Sequence, residues 1–283
     1  MMKIAVLLTC YNRVEVTSHC IKRLLEQEEL DCELKVFLVD DGSDDNSGEI
    51  IRERYPEVIV VEGDGNLYWN GGMRLAWESA LALGEDFDAF LWLNDDVELF
   101  PTSLKHLLDC YKKFNKLMPT IVVGSLCEPL EMNLPRTDSE LEELCERCTP
   151  TYGGKCYSKV VPVGKLPLSV NDFNGNLVLV PDVVTDLVGV LSKEYTHSFG
   201  DIDYGIRARR RGVLLIRAPL IHGFCKSHPQ PWADKEKRLS FRLAQFFSPK
   251  GLRFKELKHF MKVRGVGNLY ISYLKALLRV FHP

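Results

Sequence analysis

Ala89–Val97 reads AFLWLNDDV. Its first five residues, Ala89–Leu93, make an apolar run of the length and bulk that suits a strand buried on both faces, as parallel strands are. The run stops abruptly at Asn94 and two adjacent carboxylates, Asp95 and Asp96. The same layout occurs twice upstream. Lys3–Leu8 (KIAVLL) leads into Thr9, Tyr11, Asn12 and Arg13, and Lys35–Val39 (KVFLV) leads into Asp40, Asp41 and Gly42. Helical patterns separate these runs. Val16, Cys20, Leu24 and Leu25 form a stripe within 14–28, Asn46 can cap a helix that stops before Pro56, and Gly71–Leu83 reads as a third helix. Val58–Val61 and Val122–Gly124 add strand candidates, and Pro101 suits the first turn of a helix that runs to about Lys116. Strands alternating with helices predict an α/β fold with a mainly parallel sheet and right-handed crossovers. Ligands of such sheets collect beyond the carboxyl ends of the strands, which is where the polar residues stand.

Downstream the pattern loosens. Residues 127–170 have weak periodicity and many Pro, Gly and Glu residues, and read as a loop-rich excursion with one short helix near Ser139–Cys145. Asp172–Val180 (DFNGNLVLV) returns to a strand, and Asp201–Arg211 is a charged helix. Residues 235–248 and 253–281 carry two or three further helices. The expected organisation is an α/β domain over 1–225 and a helical, basic extension over 226–283.

Composition excludes several classes. The 283 residues are 46% hydrophobic and 27% charged, ordinary values for a globular chain long enough to bury a core. A disordered or collagen-like chain is ruled out. No apolar run reaches the roughly 18 residues of a membrane span, so an integral membrane protein is not expected. Ile4–Leu8 is too short for the apolar core of a signal peptide. With nine scattered cysteines, the expectation is a cytoplasmic protein with reduced thiols. Cys145 and Cys148 have the spacing of half a zinc site, but Cys127 and Cys156 supply no second close pair, so ordinary thiols are favoured.

Two adjacent carboxylates ending a buried strand are costly unless donors or a cation compensate them. Asp95 and Asp96 suit a hard divalent cation that shares its shell with water and diphosphate oxygens; a solvated turn is the alternative. Asp40 and Asp41 stand where carboxylates can accept from ribose and base donors. Gly63–Arg74 (GDGNLYWNGGMR) brings glycine backbone, two aromatics and a cation. N–H groups at a glycine-rich helix start favour phosphate; a turn with an ordinary cap is the alternative. No G-x-G-x-x-G follows the first strand and no Walker motif occurs, which disfavours the usual NAD enzymes and P-loop NTPases.

Six segments in order carry a resemblance: Leu8–Arg13 (LTCYNR), Val39–Asp44 (VDDGSD), Tyr68–Arg74 (YWNGGMR), Leu93–Val97 (LNDDV), Asn174–Pro181 (NGNLVLVP) and Gly200–Gly212 (GDIDYGIRARRRG). Together, over roughly residues 3–225, they resemble an inverting glycosyltransferase of the family 2 type with a GT-A fold, similar to bacterial rhamnosyl and galactosyl transferases. The resemblance implies that Thr9, Tyr11, Asn12 and Arg13 line a nucleotide pocket, with Asp41 reading a uracil or thymine edge and Asp40 supporting it. Asn70, Gly71 and Arg74 would lie against the nucleotide or diphosphate. Asn94 and Asp95 would face the nucleotide sugar. Asp95 and Asp96 would form the DXD-type element, with Asp96 the direct ligand of Mn2+ or Mg2+ and His222 completing the metal site. Asn94 departs from the strict pattern, which has Asp there, and is a poorer cation ligand. Asp201 matches the catalytic base and Asp203 is the runner-up; capping their helix is the alternative for both. His228, beside Pro229, is read as a loop residue. Trp69 and Trp232 suit stacking on a sugar or core packing.

The implied activity is transfer of a hexosyl or deoxyhexosyl group to a hydroxyl of a glycan or lipid-linked glycan, as in polysaccharide biosynthesis. A UDP-sugar is the leading donor and dTDP-rhamnose the second. A non-catalytic nucleotide-sugar or glycan-binding module on the same fold is the alternative, and a nucleotidyltransferase is a third class. Asp41, Asp95, Asp96 and Asp201 occurring together favour the enzyme.

Charge is unevenly spread. From Lys235 onward twelve Lys/Arg face two Asp/Glu, a net +10, while the first 234 residues carry −13. Basic residues interleave with Phe254, Leu257, Phe260 and Met261, and 269–281 (LYISYLKALLRVF) is apolar and lightly basic. That composition suits an anionic membrane surface. A helical cap on the core is the rival, and no motif supports nucleic acid. The expected location is cytoplasmic, peripheral on the inner face of the cytoplasmic membrane.

Overall fold

The computed structural model describes residues 1–156, 159–228, 230–265 and 267–281. Four parallel strands, β1 (Met2–Cys10), β2 (Cys32–Asp40), β3 (Ile59–Glu62) and β4 (Ala89–Leu93), stand in the order β3-β2-β1-β4. Their crossovers contain α1 (Val14–Leu25), α2 (Ser47–Arg54) and α3 (Tyr68–Ala82). The twofold alternation of a strand sorts β1 onto two helical layers. Ile4, Val6 and Leu8 pack with Cys20, Ile21 and Leu24 of α1 and with Leu107 and Leu108 of α4 (Ser103–Phe114). Ala5 and Leu7 pack with Met73, Ala76, Trp77 and Ala80 of α3. Both faces are buried, so these strands read as continuous apolar runs.

The sheet continues beyond β4 in mixed sense. β12 (Leu177–Pro181) lies antiparallel between β4 and β6 (Thr120–Val123). β13 (Leu214–Arg217) runs parallel to β6, and β10 (Leu168–Ser169) closes that edge. Two small sheets flank the strand ends. One joins β5 (Glu98–Leu99), β14 (Gly223–Phe224) and β7 (Leu126–Cys127); the other joins β11 (Asp172–Phe173), β8 (Gly154–Cys156) and β9 (Lys159–Val160). The excursion 127–170 therefore carries short strands as well as the expected helix, α5 (Asp138–Arg147). Thr137 and Glu140 close a capping box at its start.

Three local expectations need correction. The segment 172–180 is not one strand: Asn174-Gly175-Asn176 breaks it into β11 and β12. The Asn176 carbonyl accepts Asn94 N–H at 3.0 Å, and Gly175 lies so close to Trp69 that a side chain there would collide with the ring. α2 is not capped by the Asn46 side chain; Asn46 sits at φ 59 and Asp45 accepts the Ser47 N–H instead. Pro101 belongs to the turn before α4 rather than to its first turn.

α6 (Asp182–Val188) and α7 (Gly200–Arg210) follow β12. Tyr204 of α7 meets Trp77 and Trp92 in an aromatic core, with ring centroids 5.5 and 5.1 Å away. Burying each such ring contributes about 2–3 kcal/mol. The C-terminal helices are α8 (Leu239–Phe247), α9 (Phe254–Arg264) and α10 (Leu269–Phe281). α9 docks on α7, where Phe260 stacks on Phe199 at 4.6 Å. α10 is held through Tyr273, which touches Phe246 and Phe254. Among the described residues no helix is long and apolar enough to cross a membrane.

Candidate active site

The carboxyl ends of β1 and β4 lie side by side, which brings Arg13 and the Asp95–Asp96 pair together. Arg13 Nη1 donates to Asp95 Oδ1 at 3.1 Å and to Asp96 Oδ2 at 3.4 Å. Asp95 is buried and also accepts from Thr17 Oγ1 at 3.3 Å. Burial pushes its pKa up to about 6; the Arg13 charge opposes that rise and Asp96 reinforces it. Asp96 faces the loop after β14. Its Oδ2 is 3.1 Å from His228 Nε2, and its Oδ1 is 3.6 Å from the Cys225 thiol. Arg13, His19, Asp96, Glu98, Lys226 and His228 contribute to a cleft of about 510 Å³ beside this cluster.

A second arm of the site runs from Asn94 to Asp201. Trp69 Nε1 donates to Asn94 Oδ1 at 2.7 Å, and the Trp69 ring packs under Gly175. The Gly175 N–H in turn donates to Asp201 Oδ2 at 3.0 Å. Asp201 sits half-buried in the first turn of α7, and its other oxygen accepts its neighbour's N–H, that of Ile202. Trp69 thus ties the end of β4 to the start of α7. Asp203, the runner-up, points elsewhere. It is fully buried, ion-paired with Arg207 Nε at 2.7 Å, and accepts from Tyr195 Oη at 3.2 Å. A carboxylate so enclosed has no path to an acceptor hydroxyl.

Several residues expected at the ligand make hydrogen bonds within the framework. Asp40 accepts Ser43 N–H at 3.1 Å and Gly48 N–H at 2.9 Å. Asp41, expected to read a base edge, accepts the N–H groups of Gly65, Leu67 and Tyr68 at 3.0, 3.1 and 2.8 Å. Those last two bonds satisfy orphan donors of α3; they explain why α3 begins at Tyr68, three residues before the expected Gly71. Asn70 is fully buried and donates to the carbonyls of Ser192 and Tyr195, both at 2.8 Å. Gly71 is buried beside Leu67. Arg74 pairs loosely with Glu78 at 3.7 Å. Asn12 braces the neighbouring loop by accepting Asp44 N–H at 2.7 Å. Tyr11 is 47% exposed and Thr9 is half-buried.

His222, expected as a metal ligand, is a core residue. It is 1% exposed, and its Nδ1 accepts the Ser125 N–H at 3.2 Å. Burial, with His106 and Arg217 nearby, pushes its pKa down to about 3. His228 takes the place at Asp96 instead. In the sequence His228 stood only beside Pro229 in what read as a loop, and nothing there marked it above His222. Cys225 and Thr17 were missed because a thiol and a hydroxyl in ordinary strand and helix patterns carry no mark of a site. Among the described residues no three His, Cys, Asp or Glu side chains form a ready metal centre. Asp95 and Asp96 both pair with Arg13, and Asp96 also lies against His228, so carboxylate and imidazole donors of the kind a hard divalent ion takes meet at Asp96.

The glycosyl transferase family 2 model matches residues 5–149, just over half of the chain. The chain belongs to glycosyl transferase family 2. Its matched region ends before β12 and α7, so Asp201 and His228 lie outside it. The chain is 30% identical over 117 residues to an uncharacterized glycosyltransferase, the MG060 homolog of Mycoplasma pneumoniae. The match covers 40% of this chain and 38% of that relative's length. Among solved structures, the mannosyltransferase PcManGT of Pyrobaculum calidifontis, in complex with GDP-Man and Mn2+, has a TM-score of 0.56 at 17% identity, covering 98% of this chain and 69% of that one. S. aureus TarS 1–349 with UDP-GlcNAc has a TM-score of 0.55 at 12% identity, covering 96% and 73%. These likenesses establish the GT-A fold.

Proposed function

We propose that this glycosyltransferase moves a hexosyl or deoxyhexosyl group from a nucleoside diphosphate sugar to a hydroxyl on a glycan or lipid-linked glycan, with inversion at the anomeric carbon. The observation that carries the reading is the shared frame of Asp201 and the Asn94–Asp96 element, joined through Trp69 and Gly175. In this reading Asp201 would serve the acceptor while the charged cluster at the strand ends binds the donor, as single displacement needs. The acceptor oxygen attacks the anomeric carbon and its proton passes to Asp201. The bond from that carbon to the diphosphate oxygen breaks on the opposite side, and the nucleoside diphosphate leaves.

Arg13 would meet the diphosphate charge, and Thr9 and Tyr11 would line the base and ribose. Asp40, Asp41 and Asn70 shape the pocket wall. Asp96 and His228 would hold Mn2+ or Mg2+, with Asp95 behind them. When bound, the ion would neutralise charge on the departing diphosphate. The neighbours solved with GDP-Man and Mn2+ or with UDP-GlcNAc support a nucleotide-sugar donor. A UDP-sugar is preferred, with dTDP-rhamnose second. The proposal places the protein in the cytoplasm, with residues 1–225 as the transferase domain and 226–283 as its extension, which lends His228 to the site.

A thermal-shift panel of UDP, dTDP, GDP and their sugars, with and without Mn2+, tests the donor assignment. A ligand that binds only the folded state raises Tm by mass action. The expected result is an Mn2+-dependent rise with uridine or thymidine compounds. Silence throughout the panel with Mn2+ present would contradict it.

A further inference from the structure

The outward face of α10 is apolar. Tyr270, Ile271, Leu274 and Leu278 are 74, 52, 55 and 50% exposed. Their spacing of three and four residues puts them on one side of the helix. The opposite side carries Tyr273 and buried Val280, which hold α10 against α8 and α9. The patch extends beyond α10. Phe254, 37% exposed, lies 6.0 Å from Tyr270, and Phe247, 60% exposed, adjoins Phe246 beneath Tyr273. An apolar face of this extent on the surface calls for a partner.

The charges around it select the partner. Lys275 and Arg279 are exposed on α10 itself, and Lys255, Lys258 and Lys262 are exposed on the adjoining α9. The extension from Lys235 carries +10 and the remaining chain −13. Two copies meeting through this face would bring two strongly positive surfaces together. An anionic bilayer offers the opposite sign and an apolar interior, and repels the acidic body so that the extension faces the lipid.

We propose that α10, with Phe247 and Phe254, seats the protein on an anionic phospholipid surface. The apolar side chains enter the headgroup boundary and the lysines and arginines lie over lipid phosphates. This docking does not depend on the donor, the metal or the reaction.

Co-sedimentation of the full chain with vesicles tests it without any turnover. Wild type is compared on phosphatidylcholine vesicles and on vesicles of phosphatidylcholine and phosphatidylglycerol at 7:3. The expected result is binding to the mixed vesicles at least tenfold tighter than to the neutral ones, and weakened by 0.5 M NaCl. The Lys275→Glu/Arg279→Glu and Leu274→Ser/Leu278→Ser variants should each lose at least tenfold. Both pairs are exposed, so an unchanged Tm should accompany the loss. Equal binding to both vesicle types, no binding at all, or variants that bind like wild type would overturn the proposal. So would a homodimer on gel filtration that the Leu274→Ser/Leu278→Ser variant dissociates.

Discussion

His222 and His228 lie six residues apart on either side of β14 and have opposite surroundings. His222 is enclosed, and its ring nitrogen serves the Ser125 backbone; His228 is exposed and meets Asp96. A histidine whose folded pKa is depressed to about 3 resists protonation only in the folded state. The unfolded chain therefore binds more protons below pH 6.5, and stability falls as pH drops from there towards 3. The slope contributed is about 1.4 kcal/mol per pH unit. His222→Asn, whose amide oxygen can still accept the Ser125 N–H, should remove that share of the slope in urea titrations between pH 6.5 and 4. What slope persists belongs in part to His197, which burial, Lys250 and Arg13 push down to about 4. An unchanged slope would count against the buried, neutral state of His222. The carboxylates of the site were legible in the sequence because acidic residues at the ends of apolar strands stand out. The assignment of each was not. Whether Asp203 or Asp201 is enclosed depends on Tyr195 and Arg207, and whether Asp41 faces solvent depends on where α3 begins.

At the level of elements, the strand and helix pattern was readable wherever burial is two-sided or striped. β4 has the limits its apolar run suggests, and β1 and β2 extend theirs by a few residues. What escaped was set by contacts between elements. The break at Asn174–Asn176 serves Trp69 and Asn94, which lie far away in the chain. The two small sheets pair strands of two or three residues, too short for any periodicity to show. The packing of α3 on β1 depends on a glycine in the same way. A Cβ at Gly72 would collide with the Thr9 side chain. Gly72→Ala should push α3 from the sheet and cost about 1–3 kcal/mol by overpacking, outweighing the few tenths to 1 kcal/mol that alanine gains over glycine within a helix. Chemical denaturation measures the balance. A stabilised variant would show that Thr9 yields without strain.

Across the whole molecule, the sheet sets the site and the C-terminal helices brace it. α7 carries Asp201 on one side and receives Phe260 of α9 through Phe199 at its start. The extension thus supports the element that holds the proposed base, besides presenting its own apolar face outward. The uneven charge of the chain was plain from composition, but composition did not show which side of α10 faces out. That side follows from Tyr273 and Val280 turning inward. The central claim is that Asp201 takes the acceptor proton while the strand-end cluster binds the donor. Asp201→Asn keeps the size of the side chain and an oxygen for the Gly175 N–H, and removes the base. Turnover of the donor found by the thermal-shift panel should fall about 10²–10⁴-fold, while the donor-induced Tm rise stays as in wild type. Turnover within a factor of two of wild type would contradict the account.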